Sequence, residues 1–146
     1  MAGIAALLAL LAGLAGSLQA AVMGRLGSRV GTLEALAFSS ALQALLTAVL
    51  VVAIRPGFGG YTDSVRQPAW LWLGGVMGGI IVFTVTFATP RIGNAATIGI
   101  LVAGQLAMSL MIDTLGLFGF DRIPVSPVRV AGVMLLGVGA ALSLHR

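Results

Sequence analysis

The chain contains no cysteine and no lysine, one histidine and only four acidic residues, and none of its long apolar runs is interrupted by proline. Each absence excludes something. Without cysteine there is neither a disulfide framework nor thiol chemistry. The single histidine, His145, stands beside the C-terminus with no Cys, Asp or Glu cluster around it, so no metal site is expected. A G-x-x-x-x-G-K-S/T loop does not occur, which excludes nucleotide hydrolysis by that route. Nothing in the sequence points to an enzyme or calls for a cofactor. The widest exclusion comes from charge: charged residues make up 8% of the chain, against roughly a quarter in soluble domains. The sequence pI of about 11.5 would suit nucleic acid, yet the net charge is only +4 and its arginines are scattered over short connections. They read as membrane-edge anchors, and no nucleic-acid partner is expected.

What is present is hydrocarbon. The chain is 59% hydrophobic with a mean hydropathy of +1.11, more apolar surface than a water-soluble fold can hide. Five stretches approach or exceed the roughly 20 helical residues needed to cross a core about 30 Å thick: Ala2 to Met23, Leu33 to Ile54, Ala69 to Ala88, Gly93 to Leu115 and Val128 to Leu144. The expected fold is therefore an all-α integral membrane protein, a single domain over residues 1–146 with five transmembrane helices. All five prolines, Pro56, Pro68, Pro90, Pro124 and Pro127, fall between these spans or at their edges, where a missing N–H costs least. The first segment lacks a basic n-region and presents Leu18 where signal cleavage wants a small residue, so it is expected to be a retained helix.

Five spans place Arg55, Arg66, Arg122 and Arg129 on one side of the membrane and Arg25, Arg29, Arg91 and Arg146 on the other. Four against four leaves the positive-inside rule without a bias, since the connections are short and acidic residues contribute little. Insertion in both orientations is the expected result. Two opposed copies form an antiparallel homodimer with a two-fold axis in the membrane plane, a ten-helix version of the inverted-repeat plan of secondary transporters. Lipid provides no hydrophobic drive for helix association, so close contact depends on small side chains. Gly74, Gly75, Gly78 and Gly79 make two overlapping G-x-x-x-G repeats in the third span, and Gly132 and Gly137 smooth the fifth. Their expected role is packing or dimer contact rather than ligand binding.

Polar residues within the spans are few and costly, and they carry whatever chemistry the chain has. Gln19 lies towards the end of the first span, Ser39, Ser40 and Gln43 near the middle of the second, and Gln105 in the fourth with Ser109 one turn on. An amide donates and accepts without fixed charge, so Gln19, Gln43 and Gln105 could line a cavity for a small polar solute. The same amides could equally bond neighbouring helices. For the serines and threonines, bonding to the helix backbone is the preferred reading. Trp70 and Trp72 enter the third span at an interface, as an aromatic belt or, for Trp72, a substrate contact. No carboxylate lies near a span centre. Glu34 and Asp113 sit close to span ends: Glu34 suits a helix N-terminus, and Asp113 pairs with Arg122 or Arg129 or lines an entrance. Both are candidates for coupling or gating.

The run Leu18-Gln19-Ala20, Trp72-Leu73-Gly74-Gly75, Pro90 with Gly93, Ala95 and Ala96, and Gly104-Gln105 with Ser109, Ile112, Asp113 and Gly116 together resemble the YdcZ-type family, a bacterial inner-membrane branch of the drug/metabolite transporter superfamily. The resemblance covers almost the whole chain, and the Gly-Gln with its downstream Ile-Asp and Gly is its most specific part. It implies a five-helix half-transporter working as an antiparallel dimer, with Gln19, Gln105, Ser109 and Asp113 as the matching polar positions. Family members often carry an asparagine a few residues beyond the first-span glutamine, where Met23 stands here. The expected activity is secondary transport or facilitated passage of a small polar metabolite across the inner membrane. Proton-coupled efflux of toxic cations is the rival, disfavoured by the missing midplane carboxylate, and a non-transporting subunit of a larger complex is a third reading. The partners expected are the bilayer, a second copy and a small-molecule substrate.

Overall fold

The computed structural model of the chain describes residues 2–54 and 59–144. Arg55, Pro56, His145 and Arg146, on which parts of the arginine balance and of the proline and histidine readings rest, lie outside the described residues. Every regular element among the described residues is helical: α1 (Ala2–Val30), α2 (Thr32–Ile54), α3 (Gly59–Val65), α4 (Leu73–Ile92), α5 (Asn94–Leu115) and α6 (Pro127–Leu142). Short 3-10 turns at Ala69–Trp72 and Leu117–Gly119 precede α4 and follow α5. Four helical stretches, Gly3–Val30, Thr32–Ile54, Ala69–Ile92 and Asn94–Leu115, are long and apolar enough to cross a membrane. The fifth apolar helix, α6, has 16 residues, a rise of about 24 Å.

Hydropathy and helix length part company at two places. With 29 residues α1 rises about 43 Å, so the turns carrying Arg25 and Arg29 continue the helix past the hydropathy limit at Met23 instead of forming a loop there. Likewise α4 does not end at Ala88, and the expectation that every proline lies outside or at the edge of a helix is corrected at Pro90, which sits inside it. Proline removes an N–H bond and crowds the carbonyl four residues back, a cost kept small here because Pro90 lies in the last turn of α4; the chain stays helical until Gly93 N–H closes on the Thr89 carbonyl at 3.0 Å. The short α3, in the connection after α2, was not expected at all.

Two junctions share one design. Gly31 alone separates α1 from α2, and Gly93 alone separates α4 from α5, with φ of +104° and +88°. In each the glycine N–H bonds the carbonyl four residues back, and its own carbonyl accepts from Ala35 or Thr97 four residues on. One helix thus ends where the next begins, at a conformation that residues with a Cβ rarely adopt. The Arg29-Val30-Gly31 and Arg91-Ile92-Gly93 sequences mark both.

The residues divide into two compact units. The unit Val22–Phe87 holds the end of α1, α2, α3 and most of α4. Its buried positions include Met23, Ala35, Val85 and Thr86. Gly27 and Thr86 meet there: a Cβ on Gly27 would fall 2.5 Å from Thr86 Cγ2. The unit of Met1–Ala21 with Ala88–Arg146 contains the start of α1, the end of α4, α5 and α6. It buries Ala20, Ala96, Thr97 and Ala140, and a Cβ on Gly99 of α5 would lie 3.3 Å from Ala140 of α6. Asn94 ties α5 to α1 by donating its Nδ2 to the Ser17 hydroxyl at 3.1 Å and the Ser17 carbonyl at 3.3 Å.

Candidate functional site

Gln19, Gln43 and Gln105 all lie on helices and are all exposed on the single chain. None of their amides makes a hydrogen bond among the described residues. Gln19 follows the half-buried Ser17 and adjoins the buried Ala20, yet its own side chain lies on the outer surface of α1. On α2, Ser40, Gln43 and Thr47 recur at helical spacing and form one polar face. Thr47 had not been singled out, although its position four residues beyond Gln43 was legible. Its hydroxyl donates to the Gln43 and Ala44 carbonyls at 2.9 and 3.0 Å. On α5, Ser109 follows Gln105 by one turn and is also exposed. Thr86 and Thr97 bond the helix backbone, to the carbonyls of Val82 and Gly93, as expected of in-span hydroxyls.

Trp72 is held by the connection before it. Its indole N–H donates to the Ser64 carbonyl at 3.4 Å, tying the 3-10 turn to the end of α3. Glu34 lies in the first turn of α2 and folds back over Gly31, so that a Cβ on Gly31 would collide with its carboxylate. A carboxylate at this point faces the positive end of the helix dipole.

For Asp113 the structure selects one of the alternatives the sequence left open: its carboxylate pairs with the Arg129 guanidinium. The pair depends on a folded connection. Gly116 ends α5 in the left-handed conformation and donates its N–H to the Ile112 carbonyl, and the Ile123 N–H returns to the Asp113 carbonyl at 2.9 Å. Ser126 then caps α6 by accepting from the Arg129 N–H at 3.3 Å, with Pro127 in the first turn. Beside the pair, Leu106, Ser109 and Leu110 of α5 and Arg129, Gly132, Val133 and Leu136 of α6 line a half-enclosed cavity of about 240 Å³. Of the two terminal nitrogens of Arg129, Nη2 bonds Asp113, while Nη1 is buried without a partner. Arg129 was legible in the sequence only as one of two possible partners for Asp113.

The glycines separate into two groups. At Gly27 and Gly99 a Cβ would press on a neighbouring helix, and at Gly31 and Gly116 on a side chain of the adjoining turn or connection. A Cβ added at Gly74, Gly75, Gly78, Gly79, Gly132 or Gly137 would meet nothing within 4 Å. These six smooth positions are thus unused by the single chain.

Apolar spanning helices, scarce in-span amides and unused glycine surfaces together describe a multi-pass membrane protein, and comparison with known proteins gives it a family. Residues 4–142 match the family described as "Putative inner membrane exporter, YdcZ". The chain is also 34% identical to "Inner membrane protein YdcZ" of Escherichia coli (strain K12), over 72% of this chain and 72% of that protein. No solved structure matches. The chain belongs to the YdcZ family of inner-membrane proteins.

Proposed function

We propose that the chain is half of a secondary transporter or facilitator, with α6 completing five spans and two oppositely inserted copies enclosing a central cavity for a small polar metabolite. The outward exposure of Gln19, Gln43 and Gln105, without internal partners, carries this reading. Polar side chains facing hydrocarbon are costly, and in-span polar groups ordinarily face a partner or a water-filled cavity. Between 0 and 11% of each long span is buried by the chain itself. A second copy covers part of what remains and presents every amide twice.

In this arrangement Gln19, Ser40, Gln43, Gln105, Ser109 and Trp72 contact substrate. The open glycines Gly74, Gly75, Gly78, Gly79, Gly132 and Gly137 receive helices of the partner copy. Glu34 and Asp113 act at span ends as gates rather than as midplane proton carriers. The pairing of Asp113 with Arg129 supports that role, because its charge already has a partner. The family's description, "Putative inner membrane exporter", supports outward movement of the solute.

The test is counterflow of labelled small neutral metabolites into proteoliposomes holding the wild-type chain or Gln105→Leu. The reading requires flux that Gln105→Leu abolishes while the protein stays dimeric. Loss of assembly in that variant, or flux equal to wild type, contradicts it.

A further inference from the structure

Helix α2 is the least covered of the long spans: the chain buries 0% of its most apolar stretch, and Ala35, near its start, is its one buried residue. Lipid tails cover apolar side chains but offer nothing to an amide or a hydroxyl. Ser40, Gln43, Ala44 and Thr47 stand at i, i+3, i+4 and i+7, so they share one face, and all four are exposed. The Ser40 hydroxyl and the Gln43 amide make no hydrogen bond among the described residues. Thr47 has committed its proton to the Gln43 and Ala44 carbonyls, and its oxygen remains an acceptor.

The position of this cluster says what covers it. Because α2 runs from Thr32 to Ile54, its midpoint is Gln43, and the polar face is centred between Gln43 and Ala44. Two copies of one span, inserted in opposite orientations at the same depth, are related by a two-fold axis through the span centre. A polar cluster at the centre therefore meets its own image, as a self-complementary interface requires. About an axis between Gln43 and Ala44, the Ser40 hydroxyl of one copy faces the open Thr47 oxygen of the other, and Leu36 faces Val51. Each Gln43 comes within about 1.5 Å of rise of its own image. An amide is donor and acceptor at once, so two facing amides bond reciprocally, each keeping one N–H and one lone pair for a solute. Ser40 and Ala44 are small enough for the two backbones to approach closely. An unrelated partner helix would need no such centring.

We propose that α2 is the helix on which the two copies meet, packed antiparallel against α2 of the second copy with the paired Gln43 amides at the two-fold axis as the floor of the central cavity. This assignment rests on the antiparallel pair of the transport reading and adds which helix lies on its axis.

The chain has no cysteine of its own, so oxidative crosslinking of single-cysteine variants in native membranes tests it cleanly. A disulfide needs Cα atoms within about 7 Å. Ala44→Cys lies beside its own image. Leu36→Cys and Val51→Cys each lie about 22 Å of rise from their own images, yet level with one another across the pair. Leu42→Cys, at nearly the same depth as Ala44 but on the opposite face, measures random collision. The proposal requires about fivefold or more crosslinked dimer from Ala44→Cys than from Leu42→Cys, given that reach. It also requires that Leu36→Cys and Val51→Cys, unreactive alone, crosslink when co-expressed. Ala44→Cys at the level of Leu42→Cys, or no mixed crosslink, overturns it; if topology reporters still show dual insertion, the copies meet on other helices and the transport reading stands. Self-crosslinking of Leu36→Cys and Val51→Cys as strong as that of Ala44→Cys means a parallel pair, which overturns this assignment and the antiparallel reading together.

Discussion

Gly27→Ala places a methyl group where the chain has no room for one. The added Cβ would lie 2.5 Å from Thr86 Cγ2, more than 1 Å inside the ~3.5–4.0 Å at which carbon atoms pack. Thr86 cannot easily yield: it is 1% exposed, and its hydroxyl is bound to the Val82 carbonyl at 2.7 Å. Overpacking of this kind costs about 1–3 kcal/mol. Alanine recovers up to about 1 kcal/mol through its better helix propensity. With so short a contact the cost lies near its upper end, leaving a net loss of about 1–2 kcal/mol. Thr86→Ser deletes the offending methyl but retains the hydroxyl, so in Gly27→Ala/Thr86→Ser most of the loss returns. Gly16→Ala, where nothing lies within 4 Å, serves as the control and is expected to be neutral or mildly stabilising. Denaturant unfolding of the four variants in one detergent gives the coupling energy directly. Wild-type stability for Gly27→Ala, or equal loss with and without Thr86→Ser, refutes the close approach of α1 and α4.

Two further perturbations follow from the same geometry. Gly93→Ala forces a Cβ onto a residue with φ +88°, at a cost of about 1–3 kcal/mol; thermal unfolding should show it, and a variant as stable as wild type would mean the α4–α5 junction tolerates another conformation. Asp113→Ala strands the Arg129 guanidinium beside the cavity, and because both side chains are partly exposed, at 26% and 39%, the loss is expected near 1–2 kcal/mol, well below that of a fully buried pair. Asp113→Ala/Arg129→Ala should recover part of it, and the pair is unimportant if the single variant unfolds like the wild type.

The sequence was most legible where glycine punctuates it. The start of α2 and both ends of α5 fall within a residue of the hydropathy limits, because Gly31, Gly93 and Gly116 stop a helix where the apolar run also changes. It was least legible where a helix outlives its hydrocarbon segment, as at Arg25 and Arg29 on α1 and at Pro90 in α4. Hydropathy reports lipid burial, whereas the backbone stays helical into water as long as its hydrogen bonds close. The glycine repeats of α4 were conspicuous, yet the close helix-to-helix approaches at Gly27 and Gly99 fall on glycines outside those repeats, which no motif distinguishes. Asp113 could be matched to Arg129 only once the connection from Gly116 to Ser126 had folded the two helices side by side. The amides were legible as polar residues in apolar spans, but their exposure depends on which face each helix turns outward.

The central claim, an antiparallel pair, is tested most directly by topology. Two reporters are fused after Arg146, one active only in the cytoplasm and the other only outside it. The account predicts comparable signal from both, as the even division of eight arginines requires. Signal from one reporter alone would contradict it, since every copy would then insert the same way up and no antiparallel homodimer could form.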